Sequence, residues 1–312
     1  MNRTFEYVID PSCENMRAGD FLSSKGYSRH IRTYIKQHPG MLLKNHIPCL
    51  FYETLRSGDL ITVHLIEEET SKNIPPVPLP VNIVYEDEDL LVVNKPADMP
   101  IHPSIGNYEN TLANGIAWYF AAQKKPFVYR CINRLDRDTT GLLILAKNML
   151  SGAILSEQMK SRKIHRTYLS IVEGCTESFG TIDAPIGRAD KSIITRMIDY
   201  EHGSPARTHY KKLADLEPSE KWMEKFPGFP PDGISLIQLQ LETGRTHQIR
   251  VHMTSIGHPL CGDTLYNPST RLMNRQALHS YSLQFEHPVT GENMYFTAPL
   301  PEDMKQFFPS IN

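Results

Sequence analysis

The sequence has no apolar run near the roughly 18 residues that a membrane-spanning helix needs. Its opening Met1-Asn2-Arg3-Thr4-Phe5-Glu6 is not followed by a signal-peptide core, so the expectation is a cytoplasmic protein. Cysteine is sparse and without pattern. Cys13, Cys49, Cys131, Cys175 and Cys261 stand singly, an odd number with no C-x-x-C spacing, which argues against a disulfide framework and a structural zinc site. There is also no P-loop, no G-x-G-x-x-G after a strand and no serine-centred nucleophile elbow, so nucleotide hydrolysis and acyl transfer lose their usual anchors. The formal net charge of −2 offers no overall attraction for a polyanion.

What is present is enough apolar content, 40% of 312 residues with 22% charged, for one large core and a small accessory domain. The average charge hides a pattern. Residues 124–166 carry ten Lys/Arg against Asp136, Asp138 and Glu157, a net +7. A solvated basic face would look the same, so the window supports a polyanion partner without proving one.

Within that window, residues 133–147 place two carboxylates and two guanidinium groups inside five positions, tighten through Thr139-Thr140-Gly141, and leave on the apolar run 142–146. Charges are thus fixed at the mouth of a core element. Asp-rich turns are usually only backbone caps. Asp136, however, follows apolar Leu135 and stands between Arg134 and Arg137, an arrangement expected to point it into a site and keep it ionised. Such a carboxylate can serve as nucleophile or base.

Residues 14–65 read as a small mixed unit: a short helix near 17–22, a second over 29–37 capped by Ser28, and strands at 41–45 and 60–65 with Gly58-Asp59 before the latter. The run Glu67-Glu68-Glu69 and the proline-rich 73–80 then mark the boundary. The division is residues 1–70, a 71–80 linker and a domain over 81–312. The second domain opens with a hairpin, 81–85 and 90–96, and continues with helices over 110–122 and 150–162 and a strand over 164–172. Strands too closely linked for parallel crossovers imply an α+β fold on a mixed, largely antiparallel sheet.

In the strand 164–172, the period of two puts Arg166, Tyr168, Ser170 and Val172 on one face. Farther on, 236–242 alternates as a strand, Thr243-Gly244 turns, and a helix starts at Arg245 and ends near Gly257, with Ile249, Met253 and Ile256 on its buried stripe. Arg245 at that turn suits a partner for Asp136 or a phosphate. His247 and His252 could suggest a hydrolytic metal, but they are five apart rather than four, with no glutamate between them as base, and His252 falls on the buried stripe.

The segment Arg134-Leu135-Asp136-Arg137-Asp138-Thr139-Thr140-Gly141-Leu142 resembles the active-site motif of the RluA/RluD-type pseudouridine synthases. Asn133 stands where that family commonly has His, and Thr140 where Ser is common. Asn94-Lys95-Pro96 to His102-Pro103, Arg166-Thr167-Tyr168-Leu169 and residues 241–252 resemble its other motifs, with Asp98 where Gly is usual. The first domain is similar, loosely, to an S4-like RNA-binding module. The resemblance implies an RNA pseudouridine synthase in which Asp136 is the catalytic carboxylate, Tyr168 the active-site tyrosine and Arg245 the partner of Asp136. It further sets Asn133, Arg134, Arg137, Arg166, His247 and Arg250 against the substrate. Asp136 would either attack C1′ or remove the C2′ proton. The expected partner is rRNA or tRNA, bound by a monomer without membrane attachment, metal, nucleotide or other cofactor. The competing reading is a catalytically silent RNA-binding or folding factor using the same groove. Because neither the cysteines nor the histidines have ligand spacing, activity is expected to survive EDTA; turnover lost to chelation and restored by zinc would overturn that reading.

Overall fold

The computed structural model describes residues 1–189, 194–268 and 272–311. The chain begins with β1 (Asn2–Val8), then α1 (Ala18–Ser24), α2 (Arg29–Gln37), β2 (Leu42–Lys44), β3 (Ile47–Pro48) and β4 (Leu60–Ile66). These strands form a sheet ordered β1-β4-β2-β3. Ser28 caps α2 by accepting from the Ile31 amide at 3.4 Å, as its position before the helix requires. Several strands escaped the sequence reading, β1 among them: it buries only Phe5, with Arg3 and Tyr7 half-buried on the same face, and it owes its place to seven antiparallel register pairs with β4.

The junction is a docked segment, not a free spacer. Glu67, the first residue of the acidic run that marks the boundary, is buried, pairs with Arg130, and accepts from the Met149 amide at 2.9 Å. The proline-rich stretch is held by α3 (Leu112–Ala122): Asn114 donates through Nδ2 to the Pro75 carbonyl at 2.8 Å and accepts through its own carbonyl from Val77. Leu150, Met149 and Ile154 of the next helix pack into the core of the first unit, and Arg3 grips Asp89 through Nε and Nη2 at 3.1 and 2.9 Å.

Beyond the junction come β5 (Asn82–Glu86), β6 (Leu90–Lys95), α3, β7 (Thr140–Ala146), α4 (Met149–Lys160), β8 (His165–Glu173), β9 (Phe179–Asp183), the hairpin β10 (Ile186–Arg188) and β11 (Arg196–Ile198), β12 (Arg207–Leu216), α5 (Glu220–Lys225), β13 (Ile234–Leu241), α6 (Gln248–Ser255), β14 (Leu278–Glu286), β15 (Asn293–Thr297) and α7 (Glu302–Lys305). Among the described residues the large sheet is nine-stranded, ordered β5-β6-β7-β14-β8-β13-β12-β9, with β15 on β14. Among the described residues only the β7–β14 pairing is parallel. The fold is α+β on a mixed, mostly antiparallel sheet, as the short connections imply.

The apolar run of β7 is buried at all seven positions because layers cover both faces. Leu143 and Leu145 join Leu91, Val93 and α3 in one core; Leu142, Ile144 and Ala146 join Leu90, Val92 and Leu155 of α4 in the other. The period of two in β8 likewise sends Tyr168 and Val172 to one core and Leu169 and Ile171 to another. Gly141 sits where β7 meets β14, with φ 107°, and a Cβ there would lie 2.6 Å from the Ser280 nitrogen. Only glycine permits both that conformation and that approach. Gly141→Ala should therefore cost about 3 kcal/mol or more, the sum of a left-handed backbone and overpacking; urea unfolding at wild-type stability would contradict the register of this junction.

Candidate active site

Residues 130–133 run along β7 before the chain turns. Ile132 donates to the Ile144 carbonyl at 2.8 Å and Ala146 to the Arg130 carbonyl at 2.9 Å. Asn133, assigned to substrate from the sequence, is buried; its Oδ1 accepts from the Ile144 amide at 2.9 Å and its Nδ2 donates to the Leu142 carbonyl at 3.4 Å. That amide is thus a staple for the strand. The chain then turns, Thr139 donating to the Asp136 carbonyl at 3.1 Å, and leaves Asp136 at the N-terminal end of β7.

Beneath this turn lies Lys95, its side chain among the largest fully buried, donating to the carbonyls of Pro96 and Arg137 at 2.7 Å each. Burial pulls its pKa down to about 7, against the pull of Asp138 and Asp136. The lysine ties the end of β6 to the loop that carries the aspartate.

Asp136 opens onto a cleft of about 700 Å³ whose walls include Arg134, Arg162, Arg166, Tyr168, Arg245, His247 and Arg250. The pairing expected from the sequence is corrected here. Arg250, not Arg245, meets the carboxylate: Nη1 lies 3.0 Å from Asp136 Oδ2, while Nε and Nη2 clasp Asp263 at 2.7 and 2.8 Å. Arg250 lines the cleft but is itself buried, with its guanidinium given to Asp136 and Asp263. Burial works against its charge, but the bonds to Asp263 outweigh that and raise its pKa further. Arg245 is exposed on the rim and donates through Nε to the Pro205 carbonyl at 3.1 Å.

The physical reason is helical phase. The helix was expected to start at Arg245, yet α6 begins at Gln248, after His247 takes a left-handed φ of 57°. Gln248 Oε1 accepts from Thr243 Oγ1 and the Arg245 amide at 2.8 and 3.0 Å, and Nε2 donates to the Arg207 carbonyl and Thr208 Oγ1 at 3.0 Å each. This fixes the Thr243-Gly244-Arg245 turn against β12 and aims Arg250 inward from the first turn of α6. Ile256, expected on the buried stripe, is 39% exposed because it lies past the helix end.

Arg137 also departs from expectation. It is exposed, outside the cleft, with Nε 3.4 Å from both Asp98 and Asp138 carboxylates. The cation beside Asp136 thus comes from α6 rather than from its chain neighbour. Arg166 lines the cleft with a buried Nε that has no hydrogen-bond partner among the described residues. His247 faces Asp136 at 3.8 Å through Nε2. His252 is occupied by Thr208 Oγ1 and the Ala184 carbonyl, at 2.8 and 2.9 Å, so its nitrogens are not free for a metal. Asp263 was missed from the sequence because Gly262-Asp263 reads only as a turn.

Residues 89–255 match the family described as RNA pseudouridylate synthase. The chain is 39% identical over 298 residues to an uncharacterized RNA pseudouridine synthase of Bacillus subtilis, YjbO, covering 95% of this chain and 100% of that one. It is 38% identical to ribosomal large subunit pseudouridine synthase D of Nitrosomonas europaea, over 81% of this chain and 72% of that one. Among solved structures, human RNA pseudouridylate synthase domain containing 1 is similar with a TM-score of 0.59 and 28% identity, covering 76% of this chain and 89% of that one.

Removing the Arg250 guanidinium would strand the Asp263 carboxylate, whose side chain is 1% exposed. Arg250→Met should cost about 3–5 kcal/mol, as for a broken buried pair, and Arg245→Ala no more than about 0.5 kcal/mol, as for a surface change. Denaturant titration of both variants checks this; equal losses would mean that Arg245 shares the pair.

Proposed function

The chain belongs to the RNA pseudouridylate synthase family, whose members isomerise uridine to pseudouridine in RNA, and from that premise we propose that it does so on structured RNA with Asp136 as the catalytic carboxylate. The observation that carries the reading is the Asp136 carboxylate held by Arg250 at 3.0 Å in a cleft that also contains Tyr168. The reaction breaks the N1–C1′ bond, turns the base and joins C5 to C1′, then moves the C5 proton. The proton lost from C5 is balanced by the one N1 gains, so the nucleotide keeps its composition and oxidation level and no redox partner or energy source is required.

A stacked uridine offers no access to its glycosidic bond, so the nucleotide has to leave the helix at a cost of a few kcal/mol. Arg134, Lys160, Arg162, Arg166 and Arg245 on the cleft walls supply cations for flanking phosphates. Arg250 orients Asp136 Oδ2, leaving Oδ1 to act at the sugar, either on C1′ or on the C2′ proton. Tyr168, buried within β8, stacks on the uracil and assists loss of the C5 proton. Residues 1–70 act as an S4-like RNA-binding module, whose groove brings together Arg17, Arg29, Arg32, Lys36 and Tyr52. The name of the Nitrosomonas europaea relative makes ribosomal RNA of the large subunit the first substrate to test.

Asp136→Asn keeps the size of the side chain and removes its charge, so RNA should still bind while isomerisation falls by orders of magnitude. Asp138→Asn is the control, since that carboxylate faces Arg137 and its loss should change stability by about 1 kcal/mol without ending the reaction. Mapping of pseudouridine in ribosomal RNA incubated with each purified variant separates the two. Near wild-type turnover by Asp136→Asn, or a dead but folded Asp138→Asn, would refute the assignment and favour a silent RNA-binding factor.

A further inference from the structure

Tyr266 belongs to none of the motifs that identified the site, yet it touches three of its parts. Its hydroxyl lies 2.9 Å from His247 Nδ1 and accepts from the Arg196 amide of β11 at 2.8 Å. The Arg250 guanidinium sits over its ring at 5.0 Å, and the His247 ring meets it edge-on at 5.6 Å. Its place is set by Asp263, whose Oδ1 accepts from the Leu265 and Tyr266 amides at 3.1 and 3.2 Å while also holding Arg250. Its ring packs with Ile186, Ala206 and Val251, joining the β10–β11 hairpin to α6.

The donor inventory settles the direction of the chain of bonds. A phenol has one proton to give. Its oxygen already accepts from a backbone N–H and the described residues offer its proton no other acceptor, so the arrangement that uses every donor directs that proton at His247 Nδ1, the acceptor of a neutral imidazole. The ring proton is left on Nε2, the atom 3.8 Å from Asp136 Oδ2. That spacing is too long for a hydrogen bond but short enough for sign to matter. A donor there attracts the carboxylate; the other tautomer would set a lone pair against it and push it away from Arg250. Burial lowers the pKa of His247, partly offset by Asp136, which agrees with a neutral ring.

We infer that Tyr266 is a positioning residue for the isomerisation: its hydroxyl selects the Nε2–H tautomer of His247, so that a neutral donor faces Asp136, and ties that choice to the seating of the β10–β11 hairpin. The inference rests on the reading of Asp136 above. Tyr266 itself touches no reacting atom.

Tyr266→Phe removes the hydroxyl and keeps the ring under Arg250. Nitrogen-15 spectra of the imidazoles should show His247 as Nε2–H in the wild type and as a mixture of tautomers in Tyr266→Phe. The kcat should fall about ten- to a hundredfold, as when an outer partner of a working side chain is lost, with KM for the RNA little changed. In a His247→Asn background the same substitution should cause no further loss, because the effect runs through His247. An Nδ1–H ring in the wild type, an unchanged tautomer and kcat in Tyr266→Phe, or a full additional loss in the double variant would each overturn the inference. If the wild type forms no pseudouridine at all, the functional reading fails instead, and the tautomer remains a separate measurement that needs no activity.

Discussion

The guanidinium of Arg250 is the constraint on which the site depends. It is a flat fork with two carboxylates on it, Asp263 on Nε and Nη2 and Asp136 on Nη1. A lysine could supply the charge but not two edges fixed at a set angle. Because desolvation offsets most of the attraction in a buried pair, the arrangement adds little net stability. Its effect is geometric. The position of Asp136 follows from the phase of α6 and from the turn that Asp263 caps, so two segments 114 and 13 residues from Arg250 have to be placed together for the carboxylate to face the cleft.

The sheet brings these segments together. The loop bearing Asp136 enters β7, which lies between β6 and β14, and Tyr168 is registered with Ser280 of β14 on one side and Leu239 of β13 on the other. The parallel contact at Thr140 and Gly141 joins the hairpin half of the sheet to the half carrying β8, β13 and β12. The first unit is fastened to the same framework through Glu67, Arg3 and the apolar side of α4, so its groove is held in a set relation to the cleft. Movement of that unit as a body would have to uncover Leu150 and separate Glu67 from Arg130.

Contiguity decided what the sequence alone could yield. The strand after Asp136, the hairpin before it and the helix capped by Ser28 follow from local pattern, and all three occur close to their expected limits. The partner of Asp136 did not follow. Arg245 and Arg250 occupy one motif, and choosing between them requires knowing where α6 starts; the left-handed turn at His247, a conformation rare for a non-glycine residue, delays that start by three positions and changes which arginine points inward. Asp263 and Tyr266 carry no periodic or motif signal, since their roles arise from contacts across 13 and 19 residues. The burial of Glu67 is equally invisible locally, because its neighbours Glu68 and Glu69 are exposed and what distinguishes it, Arg130 and the Met149 amide, lies far along the chain.

The two departures from the motif that the chain resembles can now be placed. Where that family commonly has His, Asn133 gives one acceptor to the Ile144 amide and one donor to the Leu142 carbonyl. A neutral imidazole also offers one of each, so the replacement keeps a two-point hold on β7. Thr140, in place of Ser, keeps the hydroxyl that meets His279 Nδ1 at 2.8 Å, beside a ring whose pKa burial pulls down to about 4. Both side chains hold the scaffold that presents Asp136. Arg134 and Lys160 stand exposed on the cleft walls and take no part in the hydrogen bonds by which Arg250 holds Asp136, so exchanging them would leave that grip on the carboxylate in place.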